Sequence, residues 1–70
     1  MSQFAVENSV MELRQARGVT QEELARALEV SRQTISALEK GNYTPSVLLA
    51  LKIAKYFHED VDSIFALKRI

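Results

Sequence analysis

Apolar residues recur at helical spacing along most of the chain, and the breaks between them fall at residues suited to helix ends. Val10 and Leu13 lie three apart, Arg14 and Arg17 suit a last helical turn, where the dipole favours cations, and Gly18 follows as a stop. Asn8 and Ser9 are rival caps at the start of this first helix. Thr20-Gln21-Glu22-Glu23 reads as a capping box, the Thr20 hydroxyl taking the Glu23 amide while the Glu23 carboxylate returns to Thr20. Leu24, Ala25 and Leu28 then form an apolar stripe, which predicts a helix from Gln21 to about Leu28. Glu29 and Val30 make a break, Ser31 is a good cap for a third helix with Ile35 and Leu38 inward, and that helix ends before Gly41. Gly41-Asn42-Tyr43-Thr44-Pro45 is a loop. Thr44 and Pro45 read as cap and first helical position of the next helix, with Ser46 as the rival cap. Leu48, Leu51, Ala54 and Phe57 are expected to line the inner side of this long amphipathic helix, with Lys52 and Lys55 outside. Asp60 can cap a last short helix carrying Val61, Ile64 and Phe65. The expected fold is all-α, five helices joined by short turns.

The two ends carry apolar residues beyond that core: Phe4 and Val6 at the start, Phe65, Leu67 and Ile70 at the finish. They can pack on the core, pair as short strands or form a dimer seam, and the pattern does not choose among the three. Seventy residues make one domain, 1–70, with a core over about 8–66. A core this small gains from an additional stabilising device. Disulfides are excluded because there is no cysteine, and a lone histidine, His58, is too few for a structural zinc site, so no metal or cofactor is expected. Well-packed helices and oligomerisation remain.

Hydrophobic residues make up 47% of the chain and charged ones 26%, an ordinary globular balance. The longest apolar run, Val47 to Leu51, falls far short of the ~20 residues that span a bilayer, and MSQFAVENSV lacks the basic region of a signal peptide. The cytoplasm is the default expectation. Net charge is zero, nine basic against nine acidic side chains, which counts against a chain-wide electrostatic grip on nucleic acid. Between Val30 and Phe57, however, Arg32, Lys40, Lys52 and Lys55 face a single acid, Glu39. That bias suits a DNA binder of moderate affinity and equally suits a solvated surface. Nothing clusters like a nucleophile with its base, so an enzyme is not expected, and His58 reads as an exposed loop residue.

The most informative stretch is TQEELARALEVSRQTISAL, Thr20 to Leu38. Two helices of about two turns, joined by a turn this short, form a helix-turn-helix unit. Leu24, Ala25, Val30, Ile35 and Leu38 point into one cleft, and Ala25 is small enough for the second helix to approach closely. Arg32, Gln33, Ser36 and Ala37 share the outer stripe. Gln can bond adenine and Arg guanine in bidentate fashion, Ser either base, and the Ala methyl can touch that of thymine. Any amphipathic helix has a polar outside, so composition alone does not separate a reading face from a solvated one.

From Leu13 to Phe65 the chain resembles the phage repressor/Cro-type (Xre-type) helix-turn-helix family, in particular its short single-domain members. ELRQARGVTQEELA, VSRQTISALEKG, YTPS, LLALKIAKYF and VDSIF occur in the family's order and spacing. The resemblance implies a five-helix lambda-repressor-like domain whose third helix, about 32–40, enters the major groove of double-stranded DNA. It implies base contacts from Arg32, Gln33, Ser36 and Ala37, and backbone contacts from Gln21, Thr34, Lys40, Asn42 and Tyr43. For Tyr43, packing on the fourth helix is an equal reading. Arg14 and Glu39 are implied as a structural ion pair tying the first helix to the third. A transcriptional regulator of this kind, most simply a repressor, is expected to be a homodimer on an inverted-repeat operator, with Phe65, Leu67 and Ile70 as interface candidates. The alternative is an antitoxin-like or protein-interaction module on the same fold, which a polar outer stripe disfavours. Two departures stand out: Glu29 occupies a place where the family usually has glycine in a left-handed turn, and Ser9 and Met11 stand where basic residues are common.

Overall fold

The computed structural model describes residues 3–70. Strand β1 (Phe4–Asn8) leads into helices α1 (Val10–Ala16), α2 (Gln21–Leu28), α3 (Arg32–Glu39), α4 (Val47–Phe57) and α5 (Val61–Ile64), and strand β2 (Phe65–Arg69) follows. Five helices are present as expected, but the fold is not purely helical. The ends pair as an antiparallel two-stranded sheet in which Phe4 faces Arg69, Val6 faces Leu67 and Asn8 faces Phe65.

Side chains at the helix starts set most of the boundaries. Thr20 and Glu23 form the reciprocal capping box, the Glu23 amide donating to Thr20 Oγ1 at 3.0 Å and the Thr20 amide to Glu23 Oε1 at 2.8 Å. Ser31 caps α3 and Ser46 caps α4, so Ser46 prevails over the Thr44-Pro45 alternative. Ser9 holds the cap position of α1 without a side-chain bond; Asn8 Oδ1 accepts from the Val10 amide instead. Asp60 stands at the cap position of α5 but likewise makes no capping bond.

Four helices end in the same way. After α1, α2, α3 and α4 a residue turns left-handed, and paired amide bonds close the last turn, as in Asn42 to Ala37 at 2.9 Å and Gly41 to Leu38 at 3.1 Å. Gly18 and Gly41 serve α1 and α3, whereas Glu29 at φ 61° and His58 at φ 56° serve α2 and α4. A side chain in this region costs energy that glycine avoids.

The core gathers Val10, Leu24, Ala25, Leu28, Ile35, Leu38, Leu49, Ile53, Ala54, Phe57, Ile64 and Phe65. Two expectations need correction. On α4 the inner residues are Leu49, Ile53, Ala54 and Phe57, while Leu48 and Leu51 are exposed. Val47 to Leu51 is apolar throughout, so the periodicity there has no contrast, and only packing against α2 and α5 selects the face. Lys52 consequently does not stand outside: its Nζ crosses to the carbonyl of Leu28 at 3.0 Å, satisfying the end of α2. Phe65, expected at a dimer seam, is buried in the monomer's own core, because β2 enters the body at that residue. Among the described residues no helix is long and apolar enough to cross a membrane.

Candidate nucleic-acid interface

Helices α2 and α3 pack through Leu24, Ala25, Leu28, Ile35 and Leu38, which fixes the outward direction of the rest of α3. On that outward side Arg32, Gln33, Ser36, Ala37, Lys40 and Asn42 line one shallow cleft of about 250 Å³. Arg32 and Gln33 are exposed, Ser36 and Ala37 half-buried at its floor. Neither Gln33, Ser36, Lys40 nor Asn42 commits its side chain to a hydrogen bond among the described residues. These donors and acceptors are free to meet a ligand without breaking a bond of the fold.

A second, wider hollow of about 520 Å³ lies at the start of α2, between Arg14, Thr20, Gln21, Glu22 and Arg32. The first turn of a helix has amides without intrahelical partners and the positive end of the dipole, a combination that favours an anion. Tyr43 and Thr34 complete the set. Tyr43 is exposed in the loop after α3 and does not join the core. The Thr34 hydroxyl lies 2.9 Å from that of Ser31 and its amide donates to the same oxygen at 3.1 Å, so Thr34 is partly taken up by capping α3.

Beneath both hollows runs one polar network. Arg14 Nε donates to Glu39 Oε2 at 2.6 Å and its Nη2 to Oε1 at 3.1 Å, a bidentate pair whose side chains are 11% and 2% exposed. The remaining Arg14 nitrogen donates to the Val19 carbonyl at 2.9 Å. The hydrogen bond to Glu39 raises the Arg14 pKa above its already high ordinary value, with the carboxylate's charge adding to it against the opposing effect of burial. Gln21 joins the network, its Nε2 donating to Glu39 Oε1 at 3.0 Å and its Oε1 accepting from Arg32 Nη1 at 3.4 Å. One carboxylate thus collects three donors from α1 and α2 at the end of α3, and Gln21 carries the chain of bonds onward to Arg32.

Sequence reasoning missed the Gln21 bridge, because it depends on how α2 crosses α3. It also missed Asn8, whose Nδ2 donates to the Leu38 carbonyl at 3.0 Å and ties β1 to the end of α3. Leu67 and Ile70 are exposed, Leu67 on strand β2 opposite Val6.

Comparisons with known proteins agree with this architecture. The family described as Helix-turn-helix matches residues 10–64. An uncharacterized HTH-type transcriptional regulator of Bacillus subtilis, YgzD, is 48% identical over 63 residues, covering 90% of this chain and 96% of that protein. An uncharacterized HTH-type transcriptional regulator of Methanocaldococcus jannaschii is 50% identical over 60 residues, 86% of this chain and 91% of its own. Among solved structures, the transcriptional regulator VanUg superposes with a TM-score of 0.79 at 25% identity, over 100% of this chain and 93% of that one. The clp gene regulator ClgR from Corynebacterium glutamicum superposes with a TM-score of 0.72 at 31% identity, over 77% of this chain and 57% of that one.

Proposed function

The chain belongs to the phage repressor/Cro-type (Xre-type) helix-turn-helix family of DNA-binding transcriptional regulators, and from that premise we propose that it is a cytoplasmic repressor reading double-stranded DNA with α3 in the major groove. The observation that carries this proposal is the α3 cleft. Its polar side chains are exposed or half-buried and of the types that match base edges, and among the described residues all but Arg32, whose Nη1 reaches Gln21 Oε1 at 3.4 Å, serve no bond of the monomer. Arg32, Gln33, Ser36 and Ala37 make the base contacts. Gln21, Thr34, Lys40, Asn42 and Tyr43 contact the backbone around them, Gln21 through the amide end of α2, since its side chain already bridges Glu39 and Arg32.

A zero net charge limits non-specific grip. Specificity therefore rests on two reading helices, a homodimer on an inverted-repeat operator with half-sites about 34 Å apart. The Arg14–Glu39 pair serves the fold. It holds the carboxylate at the end of α3 neutralised and turned inward, where it does not repel phosphate.

Arg32 and Gln33 give the direct test. Each replaced by Ala should weaken cognate binding by ~1–3 kcal/mol and relax base preference at one position per half-site, with the melting temperature unchanged. Specific and non-specific binding both unaltered in the two variants would mean that α3 is not the reader.

A further inference from the structure

Next to the α3 cleft, a hollow of about 330 Å³ opens between the end of α3 and the terminal sheet. Ala5, Glu7 and Asn8 of β1, Glu39 and Lys40 at the end of α3, and Lys68 of β2 are among its walls. Lys40 lines the α3 cleft as well, so the two depressions are continuous at that residue. Ala5 and Lys68 are opposed partners in the sheet, their side chains stand on the same face, and Ala5 is too short to screen the lysine from the hollow. Lys40 and Lys68 are exposed, and neither forms a hydrogen bond or ion pair among the described residues. Of the two acids, Glu39 is turned inward and neutralised by Arg14. Glu7 is the one open carboxylate set against the two lysines.

The sheet is fastened to α3. Asn8 Nδ2 donates to the Leu38 carbonyl at 3.0 Å while its Oδ1 accepts from the Val10 amide at 3.0 Å, which holds β1 against the last turn of α3. The pairing of β1 with β2 then sets where Lys68 stands relative to Lys40.

We infer that Lys40 and Lys68 form a phosphate clamp, through which the paired ends of the chain grip the DNA backbone beside the groove that α3 enters. Two features select the DNA backbone as the occupant: the charge is complementary, and the hollow continues the α3 cleft through Lys40. Lysine is a point charge on a flexible stem, which suits a phosphate and distinguishes no base. On a chain of zero net charge, one more phosphate contact is a sizeable share of the electrostatic attraction. Lys68, Ala5 and Asn8 all lie outside residues 10–64, the segment that matches the helix-turn-helix family, so the clamp is an addition carried by the ends of this chain. It rests on the proposed reading of DNA by α3 and extends that contact to the sheet.

Titration of a duplex selected by the wild-type protein, over a range of salt concentrations, tests the clamp. Lys68→Ala, at an exposed position and checked by thermal melting, should lower the slope of log K against log salt by about 0.9 per half-site. The ratio of wild-type to variant affinity should then fall about three- to fourfold per half-site between 50 and 200 mM salt. Base preference should not change, and Lys68→Ala combined with Lys40→Ala should lower the slope by about twice as much. Lys55→Ala removes an equal charge from an exposed position that lines neither hollow, and should leave the slope as it was. Replacing single phosphates by neutral methylphosphonates should reveal a position whose neutralisation weakens the wild type severalfold and leaves Lys68→Ala unaffected. An unchanged slope in Lys68→Ala, an equal change in Lys55→Ala, or the absence of such a phosphate would overturn the clamp. If Lys68→Ala alone has no effect while Arg32→Ala and Gln33→Ala weaken cognate binding, the clamp falls and the reading by α3 stands. A protein that binds no duplex removes both.

Discussion

Removing the carboxylate of Glu39 leaves the Arg14 guanidinium, 11% exposed, beside Gln21 and the Val19 carbonyl with no counter-charge. Breaking a buried pair from one side costs ~3–5 kcal/mol, because the surviving charge has lost both water and partner. Here the Val19 bond persists and the rim of the guanidinium touches solvent, so Glu39→Ala belongs at the lower end, about 3 kcal/mol. A 70-residue domain at 0.05–0.15 kcal/mol per residue has only about 3.5–10 kcal/mol in total. The variant should thus lose about 30% or more of its stability and melt about 12–24 °C lower. Arg14→Ala should be at least as damaging, since it strands a carboxylate that is 2% exposed with only Gln21 as donor. Urea unfolding followed by circular dichroism measures each change, with an unaltered slope to confirm that the unfolded state is the same. The double variant should be less destabilised than the sum of the singles, because neither charge is then left unpaired. A loss below about 1 kcal/mol for both singles, with no coupling, would reduce the pair to an ordinary surface contact and refute the reasoning.

Glu29 holds a left-handed turn at φ 61°, a conformation costing ~1–3 kcal/mol in a side-chain-bearing residue. Glu29→Gly removes that cost and loses ~0.4–1 kcal/mol to the freer unfolded chain, so the melting temperature should rise by a few degrees; a fall would mean that the exposed Lys52–Glu29 contact at 3.5 Å matters more than the turn. Lys40→Ala should weaken binding to all sequences alike and lower the slope of log K against log salt by about 1, whereas a change confined to one base position would make Lys40 a reader. The Glu23 pKa is lowered by its hydrogen bonds to Thr20, the backbone bond first. Its contribution is therefore present above the ordinary carboxylate pKa and lost as pH falls through the lowered value, and Glu23→Gln should flatten stability against pH below about pH 4.5. An unchanged acid limb in that variant would remove Glu23 from the acid response.

The helix-turn-helix was the most legible part of the chain because its boundaries are written locally. Thr20 with Glu23, Ser31 and Gly41 are start and stop signals acting within four residues of themselves. The inner face of α4 was not legible, since five consecutive apolar residues carry no periodic contrast. The same lack of contrast misplaced Leu48 and Leu51, which are exposed. Strand pairing was open for a different reason: Phe4 meets Arg69 from the opposite end of the chain, and no local signal encodes a partner so distant. The Gln21 bridge from Glu39 to Arg32 needs three helices to be placed before it can be seen. The left-handed turn at Glu29 was suggested only by resemblance, and its counterpart at His58 had no sequence signal of its own.

The central claim is that α3 reads base sequence as one half of a symmetric pair. Selection from a randomised duplex pool with the purified protein, repeated with Gln33→Ala, tests it most directly. The wild type should enrich an inverted repeat whose half-site centres lie about one helical turn, 10–10.5 base pairs, apart. Gln33→Ala should enrich the same repeat with one symmetric pair of positions degenerate. A pool that stays random, or an enriched site that Gln33→Ala reproduces without change, would contradict the account.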